Sequence, residues 1–353
     1  MTCAYTPASL RLVAALALVP LACSGDDSGE TTGATSTSST SSTSTSTSST
    51  TSDSTTTGET TSSGSESAGE TTTTTTTGET TSEETTTTTT TTTGDVDPVI
   101  VDGFDHPESA LYAGQEMYWY ISNIGGDPSA KDGNGFISRL NADGSVDAMQ
   151  WATGFNGPKG LGLAGGRLYV ADIDTLHVVN TMDATISMSY AIDGAAFLND
   201  VAIDMEGSVY VSDTGTNTIH VLKAGEQPAV YLQSDDLHGP NGLTFADGSL
   251  FVVSIGDMNG DGGVFEIVDG SPVQLGPLTG GLDGATARMN DLLITDFAGQ
   301  LYRVPFMTGE PALVMDFAAD YSFMSSADFG LARPLGLIAV PDLLGNKVGI
   351  FPL

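Results

Sequence analysis

Cysteine is almost absent from this chain of 353 residues, in which only Cys3 and Cys23 occur. Cys3 lies in an N-terminal stretch with the features of a secretory signal, so it would be removed with that signal. The remaining domain cannot form an internal disulfide, and its stability must come from its own hydrophobic core. A disulfide scaffold and a zinc site built on paired cysteines are therefore excluded.

Long hydrophobic runs are also missing. The stretch from Leu12 to Val19 is too short to span a bilayer as a helix, but it follows Arg11 as the apolar core of a signal peptide follows its basic end. Leu21-Ala22-Cys23 then resembles the processing site of a bacterial lipoprotein. We therefore expect residues 1–23 to be an export signal and Cys23 to carry a lipid. Ordinary cleavage nearby is the alternative, and it would leave Cys23 as a free thiol.

Apolar residues nearly vanish between residues 24 and 94, where Thr and Ser dominate. Such a segment buries no apolar surface, so nothing offsets the entropy cost of ordering it. We expect residues 24–96 to form a disordered tether, bare or O-glycosylated. The tether would hold the folded domain outside the cytoplasm, anchored to the outer membrane or the cell surface.

Basic residues are scarce, with 10 Lys and Arg against 44 Asp and Glu. Residues 97–353 contain nine basic and 33 acidic residues, a net charge of −24. This field repels nucleic acid and anionic lipid and attracts cations. We expect a monomer that binds a small molecule and has no nucleic-acid partner. Its contact with a membrane would be through the lipid anchor only.

The part of the chain after the tether repeats one unit about every 44 residues. Each unit starts with a polar residue that opens an apolar run, continues through a glycine-marked turn, and contains two or three further β-rich runs. The opening residues are Glu108, Lys159, Asn199, Asn241, Asp283 and Asp328.

Six units of three or four strands predict an all-β, six-bladed β-propeller over residues 97–353. A two-layer β-sandwich is the alternative, but it does not explain the period. The last unit ends at its third strand, so Pro98 to Val101 would supply its fourth strand and close the ring.

Asn199 and Asp200 are poor strand formers at the start of a strand, which raises the question of their role. In a propeller the first strand of each blade lines the central channel, so the six opening residues should form a ring there. The ends of the second strands should reach the same mouth of the channel. They carry Asn123, Asp172, Asp213, Ser254, Asp296 and Asp342.

Side-chain oxygens of Glu, Asn and Asp that converge on one axis are the ligands preferred by a hard divalent cation. The acids Glu108, Asp283 and Asp328 together with Lys159 give the ring a formal charge of −2, which such an ion would balance. Without an ion, the carboxylates would raise one another's pKa. The alternative is that Lys159 pairs with the acids and water fills the remaining space.

Four short motifs in these blades carry a family resemblance. "PES" at 107–109, "FLND" at 197–200, "PNGL" at 240–243 and "LDG" at 282–284 resemble, in order, the metal-site motifs of the SMP-30/gluconolactonase/luciferin-regenerating family. The resemblance covers residues 97–353 and implies a six-bladed propeller with an axial divalent ion, most often Ca²⁺. It implies Glu108, Asn199, Asn241 and Asp283 as ligands, and Asp283 as the group that handles the proton of the attacking water.

Many members of that family hydrolyse lactones or related esters, and the resemblance implies this activity here. A cation would polarise the carbonyl, Asp328 is a second candidate base, and Lys159 is a candidate for steadying the oxyanion. Phe197 and Leu198 make the expected rim apolar, and Phe197 stands where sugar lactonases commonly carry arginine. A sugar acid lactone is therefore disfavoured. A propeller that binds a ligand without turnover remains the rival hypothesis, since fold alone does not decide function.

Two further features have both a functional and a structural interpretation. Residues 257–263, "DMNGDGG", match the first half of a calcium loop, but Val268 replaces the closing Glu, and a hairpin turn explains the same residues. His106 and His238 precede ring residues and could reach the mouth as bases or line its rim.

Overall fold

The computed structural model describes residues 97–256 and 260–353. The expected signal, Cys23, the tether and residues 257–259 of the calcium-loop candidate lie outside the described residues. Within the described ranges, no helix is long and apolar enough to cross a membrane.

The described residues form six antiparallel sheets of four strands each, which confirms the six-bladed propeller. The first and second blades contain β2 (Pro107–Ala113), β3 (Tyr118–Asn123), β4 (Gly135–Asn141), β5 (Val146–Phe155), β6 (Pro158–Ala164), β7 (Arg167–Asp172), β8 (Thr175–Asn180) and β9 (Thr185–Ala191). The third and fourth contain β10 (Leu198–Ile203), β11 (Val209–Asp213), β12 (Thr218–Leu222), β13 (Ala229–Gln233), β14 (Pro240–Ala246), β15 (Ser249–Ser254), β16 (Gly262–Val268) and β17 (Ser271–Gly280).

The fifth blade contains β18 (Leu282–Ala287), β19 (Asp291–Asp296), β20 (Gln300–Pro305) and β21 (Ala312–Asp316). The sixth contains β22 (Gly330–Ala332), β23 (Leu337–Asp342), β24 (Lys347–Pro352) and β1 (Val99–Asp102). A short helix, α1 (Phe317–Tyr321), and two 3₁₀ turns, Asp235–Leu237 and Arg333–Leu335, complete the described elements.

The ring closes where the two ends of the folded region pair. β1 runs antiparallel to β24, with Val99 opposite Ile350 and Asp102 opposite Lys347. This confirms the expected closure by the segment that starts at Pro98. In the described part of the chain, β1 therefore joins the last blade to the first without a crossover loop.

The hydrophobic core lies between neighbouring blades. One cluster combines Trp119 and Ile121 of the first blade with Val348 and Ile350 of the sixth. Another combines Val253 of the fourth blade with residues of the fifth. Because each blade buries its faces against two neighbours, the blades stabilise one another.

A β-bulge interrupts the inner strand of each of the first five blades. The pairing register shifts between Pro107 and Ala110, and again between Leu198 and Val201. The same shift recurs in β6, β14 and β18. A bulge sets two consecutive residues opposite one partner and re-aims their side chains. Each inner strand thus brings two successive positions close to the axis.

The two faces of the propeller differ in which turns they carry. We call face A the side where inner strands begin, and face B the side where they end. Antiparallel order puts the turns between first and second strands, and between third and fourth strands, on face B. The ring positions lie near face A.

Ring closure should contribute measurably to stability. A chain that starts at Gly103 loses four paired residues of β1, each worth about 1 kcal/mol in net hydrogen bonding. We expect its melting temperature to be roughly 10 °C below that of a chain that starts at Asp97. Thermal unfolding followed by circular dichroism measures the difference, and equal melting temperatures would contradict a role for β1 in closure.

Candidate functional site

The position of the ring in each blade is fixed by a carboxylate at the end of the second strand. Asp172 accepts hydrogen bonds from the amides of Asn156 and Gly157, three and two residues before Lys159. Asp213 does the same for the amides of Ala196 and Phe197, before Asn199.

In the sixth blade the corresponding acceptor is Asp342, which binds the amides of Met324 and Ser325. The same spacing assigns the ring position to Ala327, and the placement of Asp328 on the ring was wrong by one residue. Thr295 of the fifth blade supports this correction, because its hydroxyl donates to the Ala327 carbonyl as Ser212 donates to that of Asn241.

Two layers of side chains therefore surround the axis. The ring contains Glu108, Lys159, Asn199, Asn241, Asp283 and Ala327, all of them buried. The layer below it, toward face B, contains Ser109, Gly160, Asp200, Gly242, Gly284 and Asp328. Of the polar pair at the start of β10, Asn199 belongs to the ring and Asp200 belongs to this second layer.

Four of the second-strand residues hold the loops that precede the ring. Asp172, Asp213 and Asp342 are almost fully buried and use their oxygens on backbone amides, and Asn123 accepts from the amide of Asp105. Histidines support two of them: His177 Nε2 lies 3.3 Å from Asp172, and His220 Nε2 lies 3.6 Å from Asp213. These four residues therefore support the loops at the mouth, whereas Asp296 lies close enough to Asp283 for its charge to raise the pKa of Asp283.

Lys159 does not pair with the ring carboxylates in the described structure. Its ammonium donates to the carbonyls of Gly157 at 3.0 Å and Pro128 at 3.2 Å, and lies 4.2 Å from the centroid of the Phe197 ring. This side chain therefore points toward face A and closes the mouth beside Phe197. Two of its three N–H donors are already engaged, which weakens its candidacy as an oxyanion partner.

Three ring residues present buried oxygens that have no hydrogen-bond partner in the described structure. These atoms are Glu108 Oε2, Asn241 Oδ1 and Asp283 Oδ1. A buried acceptor without a partner is costly, and native proteins rarely leave one. All three belong to the predicted ligand set, and the oxygens are of the type that hard divalent cations prefer. The donor set therefore fits such an ion.

The fourth predicted ligand, Asn199, is oriented by a neighbouring hydroxyl. Asn199 Nδ2 donates to Thr214 Oγ1 at 3.2 Å, and that hydroxyl donates to the Pro240 carbonyl at 2.7 Å. Because the amide nitrogen is committed to Thr214, the amide oxygen is the atom left to face the ring. Thr214 thus orients the amide of a predicted ligand.

Carboxylates alone do not make this site. Among residues 97–256 and 260–353, no three His, Cys, Asp or Glu side chains are grouped at metal-site spacing. Two amides and two carboxylates would share the ion, a mixture of ligands that is common for calcium and unusual for zinc.

The second-layer acids clamp neighbouring blades. Asp200 accepts from the amides of Val201 in its own strand and Leu243 in the fourth blade, both at 2.6 Å. Asp328 accepts from the Ser109 hydroxyl at 2.6 Å, across the junction between the sixth and first blades. Sequence reasoning missed the role of Asp200, although the adjacent Asn and Asp are the signal of a bulge.

Glycine at the second layer allows the blades to approach the axis. A Cβ at Gly160 would lie 2.3 Å from Asp200 Cα, and one at Gly284 would lie 2.7 Å from Asp328 Cα. Neither backbone could move without disturbing the neighbouring blade. These glycines therefore set the narrow waist of the channel.

Burial and mutual repulsion shift the pKa values of the axial acids upward. Burial, reinforced by Asp283, holds the pKa of Glu108 well above its usual range, and burial with the charge of Asp200 does the same for Asp328. Burial raises the pKa of Asp283 to about 8 and that of Asp200 to about 6. These directions agree with the sequence expectation of crowded carboxylates.

Burial lowers the pKa of Lys159 to about 8, against the opposing fields of Glu108 and Asp172. Asp172 and Asp213 differ from the axial acids, because hydrogen bonds from histidine and backbone amides lower their pKa despite burial. The axial site is thus the region where negative charge is hardest to hold.

The remaining candidates lie at the rim. His106 Nδ1 contacts Asp105 at 2.7 Å, and His238 Nδ1 lies 3.9 Å from Asp261. Both imidazoles are substantially exposed, so they line the mouth rather than the buried ring. Leu198 is fully buried in the core, so its expected contribution to an apolar rim was wrong, whereas Phe197 is partly exposed.

Comparison with known proteins identifies the fold but no family. No protein-family description matches the chain, and no curated protein matches its sequence. A gluconolactonase from Xanthomonas campestris is similar in structure with a TM-score of 0.54 and 13% identity, over 73% of this chain and 90% of that chain. Virginiamycin B lyase from Staphylococcus aureus has a TM-score of 0.50 and 12% identity, over 73% of this chain and 99% of that chain. A streptogramin B lyase is similar at 0.50 and 14% identity, over 72% and 96%. These likenesses support the propeller fold.

The raised pKa values of the axial acids predict an unusual pH dependence of stability. A folded state with raised pKa values binds more protons than the unfolded state between about pH 4 and pH 8, so its free energy of unfolding falls as pH rises. With EDTA present, we expect the melting temperature to be at least about 3 °C higher at pH 5 than at pH 7.

A saturating divalent ion should reduce this difference, because it stabilises the ionised carboxylates. Between pH 5 and pH 7 Lys159 stays mostly charged, as its pKa is about 8. Differential scanning calorimetry with EDTA and with calcium tests both parts. If the melting temperature in EDTA rises between pH 5 and pH 7, ionisation of the axial acids does not destabilise the fold, and the prediction is wrong.

Proposed function

We propose that the axial ring binds a divalent cation, Ca²⁺ in the first instance, and that the propeller hydrolyses a small lactone or ester. Glu108, Asn199, Asn241 and Asp283 would hold the ion. The observation that carries the proposal is the set of partnerless buried oxygens on three of these four residues. The structural likeness to a gluconolactonase agrees with the proposal at the level of fold.

The ion would supply positive charge to a carbonyl oxygen as it becomes an oxyanion. Asp283 is the group suited to accept the proton of the attacking water, because a bound ion would keep its buried carboxylate ionised beside the carbonyl and one of its oxygens has no other partner. Asn199 keeps its oxygen toward the ring through Thr214. Phe197 and Lys159 exclude water from the face A side.

The chemistry of the mouth indicates the kind of substrate. Phe197 presents an aromatic edge at face A, where a polyhydroxylated ring would find few hydrogen-bond partners. The Lys159 ammonium adds positive charge, although two of its donors are engaged by backbone carbonyls. A lactone or ester with an apolar substituent therefore fits this rim better than a sugar acid lactone.

The enzymatic proposal is tested with Asp283→Asn. We expect this change to lower turnover of a lactone and ester panel by at least about 100-fold, because it removes the base and a charged ligand together. Removal of the ion with EDTA should abolish turnover, and calcium should restore it.

Asp193→Asn is the matched control, since Asp193 is an exposed loop acid before β10 and its loss changes the net charge equally. Isothermal titration with calcium separates loss of the ion from loss of the base. Turnover that is unchanged in both EDTA and Asp283→Asn would contradict the proposed reaction.

A non-catalytic binding propeller is the second candidate, and the burial of the ring favours it. The described ring side chains are between 0% and 5% exposed, so a substrate reaches them only if Phe197 and Lys159 move. In that case the ion would serve to join the blades, and a small molecule would bind at the rim. Calcium-dependent stability without turnover of any panel member would favour this function.

The location of the protein belongs to the same proposal. We infer that it is exported and anchored at the cell envelope through a lipid on Cys23. Cys23→Ser should move the protein from the detergent phase to the aqueous phase in Triton X-114 partitioning. A Cys3→Ser variant is the control and should partition as the wild type does. Aqueous partitioning of the unmodified protein would contradict lipid attachment.

A further inference from the structure

A cavity of about 330 Å³ occupies the face B half of the central channel. It is distinct from the ring, because no ring residue lines it. Of the second layer, only Asp200 and Asp328 reach it. Asp200 and Asp328 lie between this cavity and the ring, close enough for their charges to act on Glu108, and the cavity opens on the opposite face.

Most of the residues that line the cavity are apolar, although polar atoms supply more than half of its exposed surface. The apolar residues include Leu111, Leu163, Val201, Leu243, Phe245 and Leu331. A pocket with apolar walls and a few charged groups at defined positions is the usual form of a small-molecule site. The arrangement of those charges indicates what the ligand must carry.

Two Asp side chains lie at the inner end, and because burial raises the pKa of both, an ammonium that binds there would displace a proton from the pair. Asp200 belongs to the third blade and Asp328 to the sixth, so six-fold order sets them on opposite sides of the axis. They are near enough for the charge of Asp200 to act on Asp328. Their known hydrogen bonds are to Val201, Leu243 and the Ser109 hydroxyl. Each carboxylate oxygen has two lone pairs, so both can still accept from a ligand.

The outer end carries the opposite charge. Arg333 lines the cavity at face B, and one of its guanidinium nitrogens donates to the Ala287 carbonyl. That bond fixes the side chain and uses one of five N–H donors. A carboxylate is the partner that matches the remaining fork.

The two ends lie at opposite ends of the innermost strand of the sixth blade. Asp328 lies two residues before β22, and the four residue steps from Asp328 to Ala332 span at most roughly 13 Å at strand spacing. The Arg333 side chain follows directly and can reach back toward the axis. A ligand that meets both ends must therefore be elongated and slender.

We propose that the face B cavity binds an elongated amino acid whose ammonium contacts Asp200 and Asp328, whose carboxylate contacts Arg333, and whose apolar stem packs between them. The net charge of −24 on residues 97–353 favours entry of the ammonium end first. This site does not depend on the proposed hydrolase activity.

The ω-amino acids from 4-aminobutanoate to 8-aminooctanoate are the probes, with hexylamine and hexanoate as single-charge comparisons. Each probe is titrated into the full chain by isothermal calorimetry. Saturating calcium is present, so that the ammonium group of the probe does not bind to the ring instead of the cavity. We expect one member of the series to bind at least tenfold more tightly than hexylamine, and hexanoate not to bind.

Three variants locate the binding. Arg333→Gln should lower affinity for the amino acid at least tenfold and leave that for hexylamine unchanged. Asp328→Asn should lower both. Leu163→Trp places a larger side chain in the cavity without changing its charge, and should abolish binding. This variant still tests the site if Asp328→Asn fails to fold. Arg167→Gln is the matched control, since this exposed arginine begins β7 at face B and does not line the cavity.

The proposal is overturned if no member of the series binds, if hexylamine or hexanoate binds as tightly as the best amino acid, or if Arg333→Gln and Leu163→Trp leave the affinity unchanged. The two proposals can be told apart. An absence of lactone turnover together with amino acid binding would overturn the hydrolase proposal and leave the cavity proposal standing.

Discussion

The arrangement of side chains around the axis depends on one backbone amide in the inner strand of each bulged blade. Because of the bulge, this amide has no carbonyl partner in the second strand. In the first, third and fifth blades this amide, at Ser109, Asp200 or Gly284, donates to a hydroxyl of the second strand. The hydroxyls belong to Ser122, Ser212 and Thr295. Two of them, Ser212 and Thr295, also donate to the next blade's ring carbonyl. One side chain thereby satisfies the amide and fixes the distance between blades.

This arrangement explains why acidic side chains are grouped at the axis, where their ionised form is disfavoured. The bulge presents two consecutive side chains to the axis, and the glycine waist brings six blades within reach of one another. Carboxylates placed there are desolvated and repel each other, as the raised pKa values of Glu108, Asp283 and Asp328 indicate. Structural ion-pair networks also shift pKa values, but here the lysine of the ring turns away to carbonyls. Lys159 offsets only part of this repulsion at Glu108, and shifted pKa values of this kind are concentrated at functional sites.

The sequence predicts the period, the strand order and the closure of the ring, because these depend on local alternation and turn residues. It also predicts that Glu108, Asn199, Asn241 and Asp283 share one level. It does not predict the level of Asp328. The register of the sixth blade is set by hydrogen bonds from the amides of Met324 and Ser325 to Asp342, which lies 18 and 17 residues further along the chain. The direction of Lys159 was also beyond sequence reasoning. Its carbonyl partner at Pro128 comes from the preceding blade, through a contact between loops that no period encodes.

The pairing of β1 with β24 has a geometric consequence for everything that precedes it. Val99 lies opposite Ile350, close to the end of the last strand, and the chain then runs toward Asp102 at face A. Asp97 consequently enters the domain at the outer edge on the face B side. Any upstream segment is covalently joined on the side away from Phe197 and Lys159. The point where the upstream chain joins the domain therefore leaves the face A entrance, beside Phe197 and Lys159, unobstructed by that connection.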